Sequence, residues 1–161
     1  MNIYDYALQM EKESENYYRQ LAQRTNSKGL KTIFNMLGDE EAKHYGIVEE
    51  MKSKMPVKVS DTDVLSDAKE IFRQMADDIE KFDFGAQQLE YYRKAQEIER
   101  KSRNFYLQKA DEVEDSIQKG IFRNLAEEEK KHFFLLQNII DFMAMPRDWL
   151  ENAEWYHLDE Y

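Results

Sequence analysis

Cysteine is absent from the 161 residues. That excludes disulfides, a thiolate metal site and a cysteine nucleophile, and suits a reducing compartment. Proline occurs twice and glycine five times, too few for a fold built on many tight turns. Long hydrophobic runs are missing too. Nowhere do about eighteen apolar residues follow one another, and no basic stretch near the start leads into an apolar segment. The chain therefore reads as cytoplasmic, with no membrane association. An excess of positive charge is also lacking: the net charge is −10, which argues against nucleic acid and anionic lipid surfaces as partners. Histidine is scarce at three residues, so the place of each carries information.

What remains is rich in Glu, Lys, Gln, Leu, Ala and Met, a composition that favours helix. Apolar spacing predicts helix A over roughly 2–24 and helix B over 27–53, with Ser27 as its N-cap. An irregular stretch over 56–63 precedes a shorter amphipathic segment from Val64 to Phe82, carrying Ile71, Phe72, Met75 and Ile79. Helix C follows over 86–112 and helix D over 115–145, stopped by Pro146. Short A–B and C–D connections imply two antiparallel hairpins. The B–C connection is long enough to traverse the bundle. The expected class is all-α: a ferritin-like four-helix bundle over 1–145, with a long B–C crossover containing a short helix. The aromatic tail, 146–161, holds Trp149, Trp155, Tyr156, Tyr161 and His157, and is expected to pack on the bundle or on a partner subunit.

Two copies of one pattern lie in this chain. Glu11 is followed by Glu41-Ala42-Lys43-His44, and Glu99 by Glu129-Lys130-Lys131-His132. Each member of the second set is the first plus 88 (11 and 99, 41 and 129, 44 and 132), and residues 3–45 laid on 91–133 share sixteen identities in forty-three positions. The glutamates and histidines fall on the apolar stripes rather than on the charged faces. Helix B shows Leu30, Phe34, Leu37, Glu41, His44, Val48 and Met51 in steps of three and four. Helix D shows Phe122, Leu125, Glu129, His132, Leu136, Ile139 and Met143 in the same rhythm. Four carboxylates buried together without partners would cost on the order of several kcal/mol each. Two divalent cations would balance them, and no Lys or Arg on these stripes does. Glu and His at i and i+3 point from one helix face to one ion. Four carboxylates with two imidazoles suit iron or manganese, with zinc also possible. Ala7, Ser14, Gly38, Ala95, Ser102 and Ala126 are small residues expected to leave room for the ions.

The segments Met10–Tyr18 and Leu37–His44, with their counterparts Glu99–Tyr106 and Leu125–His132, resemble the helices of the rubrerythrin branch of ferritin-like di-iron proteins over about residues 2–145. The resemblance implies two iron ions ligated by Glu11, Glu41, His44, Glu99, Glu129 and His132, with Glu41 and Glu129 bridging and Glu11 and Glu99 terminal. It implies a non-haem oxidoreductase that reduces peroxide or dioxygen. Rubrerythrins proper carry a four-cysteine rubredoxin domain and a further glutamate one turn after the helix C ligand. Here there is no cysteine, and that position is Ser102. Electrons would come from a separate donor protein, and a homodimer is the expected assembly. Ala42 stands where bacterioferritins keep a haem-binding methionine, so haem is not expected. Ferroxidation with iron storage or buffering, and a metal-stabilised helical module without turnover, are the alternatives.

Tyr18 and Tyr106 lie two turns beyond Glu11 and Glu99, either as hydrogen-bond donors to ligand carboxylates or as aromatic core with a polar tip. Glu40 and Glu128 read as charged flanks on a solvated face, the other reading being that they orient the opposing imidazoles. Glu13, Glu15, Glu97 and Glu127 read as surface charge, the methionines as gap-filling core.

Overall fold

The computed structural model describes residues 2–54, 64–75 and 86–144, and in these helix is the only regular secondary structure. Helix α1 is Ile3–Arg24, α2 Lys28–Lys52, α3 Val64–Met75, α4 Ala86–Glu112 and α5 Ser116–Ala144. The helices begin where capping chemistry sets them. Asn2 accepts the Asp5 amide at 2.8 Å, Ser27 accepts that of Leu30 at 3.1 Å, and Asp115 accepts those of Ile117 and Gln118. Each cap satisfies amides that the first turn leaves without a partner. Past the end of α2, Lys54 takes a left-handed φ of 61°, the geometry of a helix-stop residue, and its amide returns to the Met51 carbonyl.

Helix α1 packs chiefly on α2, and α4 on α5, giving the two expected hairpins. Two apolar clusters fill the interior. One gathers Tyr18, Leu21, Ile33, Phe34 and Leu37 with Tyr92, Leu136 and Ile139. The other gathers Ala7, Val48 and Met51 with Tyr106, Ala110, Phe122 and Leu125. Helices α1 and α5 run from the second cluster towards the first, while α2 and α4 run the opposite way. Helix α2 thus ends at one end of the bundle and α4 starts at the other, which is why a long crossover is needed. Helix α3 lies on this path and buries Val64, Ala68, Phe72 and Met75 at the first cluster. There Phe72 and Phe142 pack with ring centroids 5.4 Å apart.

The architecture is the ferritin-like bundle that the hairpin and crossover pattern predicts. Helix boundaries agree to within a residue or two. The tail residues 146–161, His157 among them, Ile79 and the end of the crossover segment at Phe82 lie outside the described residues. Among the described residues no helix is long and apolar enough to cross a membrane.

Candidate metal centre

Between the two apolar clusters lies a polar layer. Glu11 and Ser14 come from α1, Glu41 and His44 from α2, Glu99 and Ser102 from α4, and Glu129 and His132 from α5. All are buried. The i, i+3 spacing places glutamate and histidine one above the other on the inner stripe, and antiparallel hairpins bring the stripes to one level.

His132 Nδ1 stands 2.8 Å from Glu41 Oε1 and 3.4 Å from Glu99 Oε1. In mirrored fashion His44 Nδ1 stands 2.6 Å from Glu129 Oε1 and 3.6 Å from Glu11 Oε2. The imidazoles lie nearly parallel, 8° apart, with centroids 5.7 Å apart. Each histidine thus faces the glutamates of the other hairpin or of its own neighbour across a shared space.

His44 Nδ1 and Glu129 Oε1, close as they are, do not meet in hydrogen-bond geometry. One oxygen each of Glu11, Glu41 and Glu99, both of Glu129, and Nε2 of both histidines are buried without a hydrogen-bond partner. Buried polar atoms are normally paired, so this concentration of unpaired lone pairs is the mark of a site that something cationic completes. Two sets of four residues each bring ligand atoms within 4.8 Å of one another: Glu11, Glu41, His44 and Glu129, and Glu41, Glu99, Glu129 and His132. Glu41 and Glu129 belong to both sets, as bridging groups would.

Electrostatics follow from crowding. Burial, then the charges of Glu129, Glu99 and Glu11, pushes the Glu41 carboxyl well above its usual range. Burial, followed by Glu99 and Glu11, does the same to Glu129. At Glu99 burial also pushes upward but is outweighed, first by the His132 charge and then by neighbouring donors that include the Tyr18 hydroxyl, so its carboxyl is held low. Burial alone would lower His44; the negative charge of Glu11, then those of Glu99 and Glu40, raises it instead. Without cations the cluster holds protons that it must release to bind them.

The two tyrosines resolve in favour of the hydrogen-bonding reading. Tyr18 donates to Glu99 Oε1, and Tyr106 donates to Glu11 Oε1 at 2.5 Å. Each hydroxyl thus serves the glutamate of the opposite hairpin. Burial pushes both phenols well above their ordinary range, so they stay protonated as donors.

The solvated-flank reading of Glu40 and Glu128 is overturned. Their relative exposures are 7% and 3%, because the apolar stripes of α2 and α5 are wide enough to take in the residue beside the inner glutamate. Each keeps a lysine one turn on: Lys43 Nζ lies 3.3 Å from Glu40 and Lys131 Nζ 3.2 Å from Glu128. The sequence did hold a signal for this, since Glu40/Glu128 and Lys43/Lys131 are both identical in the 88-residue register. Gly38 also differs from expectation. A Cβ there would meet the Arg19 guanidinium at 2.8–2.9 Å, so its missing side chain makes room for Arg19, which reaches over to the Asn35 carbonyl and Asp39, not for ions.

A sequence model described as Rubrerythrin matches residues 2–140, nearly the whole bundle. The chain belongs to the rubrerythrin family. This rubrerythrin relative contains the duplicated hairpin without the cysteines of a rubredoxin domain. No curated protein sequence matches it. Among solved structures it is similar to a hypothetical protein from Pyrococcus furiosus, at 18% identity over 90% of each chain and with a TM-score of 0.62. At that identity the likeness supports the fold alone.

Proposed function

We propose that this rubrerythrin-family protein is a non-haem di-iron oxidoreductase, reducing peroxide or dioxygen with electrons from a separate donor protein. The observation that carries the reading is the set of buried, unpaired ligand atoms converging from all four long helices. Glu11, Glu41, His44 and Glu129 would hold one ion, and Glu41, Glu99, Glu129 and His132 the other. Four carboxylates matched by two divalent cations leave the layer neutral, and carboxylate with imidazole suits iron, manganese or zinc. When bound, an iron pair supplies the two electrons that reduction of peroxide requires.

The protein's own part is positioning and exclusion. Tyr106 and Tyr18 each hold one oxygen, of Glu11 and of Glu99 respectively, fixing these carboxylates. The apolar clusters above and below the layer keep bulk water from it. Ser14 and Ser102, both buried, leave the space beside the terminal glutamates small-walled. A homodimer in the cytoplasm is the setting we expect.

Metal analysis of protein purified without added metal, with optical spectra before and after peroxide, tests the proposal. Two irons per chain and near-ultraviolet bands that appear on oxidation and vanish on reduction are the expected result. A di-ferrous protein that reacts with peroxide no faster than free ferrous ion would sink the oxidoreductase reading. Zinc that no treatment exchanges for iron would move the weight to a metal-stabilised bundle without turnover.

A further inference from the structure

Glu40 and Glu128 have no part in the paired site, yet both are buried, which is costly for a carboxylate unless other groups serve it. A lysine one turn on from each supplies opposite charge. Glu40 has hydrogen-bonding capacity to spare: its Oε1 accepts from Lys43, while its Oε2 is buried without a hydrogen-bond partner. A donor in want of an acceptor stands near. His132 turns Nδ1 to Glu41 and Glu99, and its Nε2 is buried with no partner. One nitrogen of His132 and one oxygen each of Glu40 and Glu128 all lie within 4.8 Å of one another. With Nδ1 turned to the ligand layer, Nε2 is the nitrogen left for this outer face.

We propose that Glu40 is a positioning residue for His132: its Oε2 accepts the Nε2–H proton across the contact between α2 and α5, a gap that side-chain torsion alone closes. The proposal rests on the paired-ion reading, which makes Nδ1 a ligand. A neutral imidazole offers one lone pair to a cation and keeps its proton on the other nitrogen. A buried carboxylate facing that proton fixes the tautomer, orients the ring and makes the ligating nitrogen more basic. The charges stay balanced. The imidazole remains neutral, four carboxylates still face two divalent cations, and Glu40 and Glu128 keep Lys43 and Lys131. One hydrogen bond thereby satisfies two buried atoms that otherwise have no partner.

The support is one-sided. Nε2 of His44 is unpaired as well, but no group of His44 with Glu40 and Glu128 is found among the described residues. The two ion positions, alike in their ligands, therefore differ in affinity. The one held by Glu41, Glu99, Glu129 and His132 has the more basic imidazole and fills first.

Zinc suits the same ligands and is diamagnetic, so Zn²⁺ titration of chelator-stripped protein by calorimetry, with ¹⁵N–¹H spectra of its histidines, tests the proposal. The unmodified protein should take two ions of unequal affinity and show a histidine Nε2 proton shifted downfield by a carboxylate acceptor. E40M removes the acceptor at similar length. It should weaken the tighter ion by about 10–100-fold, leave the weaker one less affected, and move that proton signal upfield. E40Q keeps a neutral acceptor and should fall between the two; should E40M misfold, E40Q carries the same expectation. Two ions bound as in the parent by a folded variant, with the proton signal unmoved, would overturn the role of Glu40 and leave the paired site standing. Equal weakening of both ions with that signal unmoved would also overturn it, by making Glu40 a matter of general stability. Fewer than two ions in the unmodified protein would remove the paired site and this role together.

Discussion

Replacing Tyr106 by Phe deletes one oxygen and otherwise keeps the ring that packs on Phe122 and Phe105. The hydroxyl is fully buried and donates to Glu11 Oε1 at 2.5 Å. Glu11 Oε2 already lacks a hydrogen-bond partner, so the substitution leaves a buried carboxylate with neither oxygen served by a donor. Hydrogen bonds to charged groups contribute about 1.5–3 kcal/mol. For a chain of this size each kcal/mol moves Tm by about 2–4 °C, so Tm should fall by roughly 3–12 °C. Differential scanning calorimetry of the chelated protein measures this directly. The metal-loaded protein should lose less, because a cation then compensates Glu11 from its other side. A double-mutant cycle with Glu11→Gln isolates the pair, and its coupling energy should account for most of the loss. A Y106F protein within about 0.5 kcal/mol of the parent, or a cycle with no coupling, would refute the argument and return Tyr106 to the status of aromatic core.

In chelated protein, Glu41 and Glu129 have raised carboxyls and His44 a raised imidazole. Their contribution to stability is therefore complete below their ordinary values of 4.5 and 6.5 and is lost as pH rises through the raised ones. Glu99, held low, works the other way, contributing above 4.5 and losing that as pH falls through its depressed value. With three groups against one, urea midpoints of the chelated protein should decline from mildly acidic towards alkaline pH. In the loaded protein protons compete with the ions, so acid should destabilise it instead; parallel pH profiles with and without chelator would contradict this. Glu41→Gln removes a carboxylate common to both four-residue sets, so the pair should be lost, not one ion, as metal analysis will report. Gly46→Ala and Gly120→Ala meet nothing within 4 Å inside helices, and each should raise stability by about 0.5–1 kcal/mol in urea titrations. Unchanged midpoints there would mean that the glycines serve a purpose beyond helix propensity.

Much of the centre was legible because helical periodicity alone puts Glu41, His44, Glu129 and His132 on apolar stripes, and duplication removes the ambiguity of a single match. The helix limits were legible because Asn2, Ser27 and Asp115 cap by local hydrogen bonds. What spacing could not supply was partnership across helices. The reach of Tyr18 to Glu99 and of Tyr106 to Glu11 depends on how hairpins dock, which no one-helix pattern contains. The burial of Glu40 and Glu128 depends on the width of the contact between α2 and α5, and the role of Gly38 on an arginine nineteen positions earlier (38 minus 19).

The crossed tyrosines have a consequence for how the halves depend on each other. Each hairpin carries a hydroxyl that only the other can use, together with a Glu-x-x-His that only the other completes. The arrangement is self-complementary: two copies of either hairpin, set about a twofold axis, would present the same pattern of four glutamates, two histidines and a pair of hydroxyl donors. Joining them in one chain fixes the stoichiometry of that partnership and frees each face to change alone. The outer face shows the result, with Arg19 clasping Asp39 in one half and a partly exposed Leu107 at the equivalent place in the other.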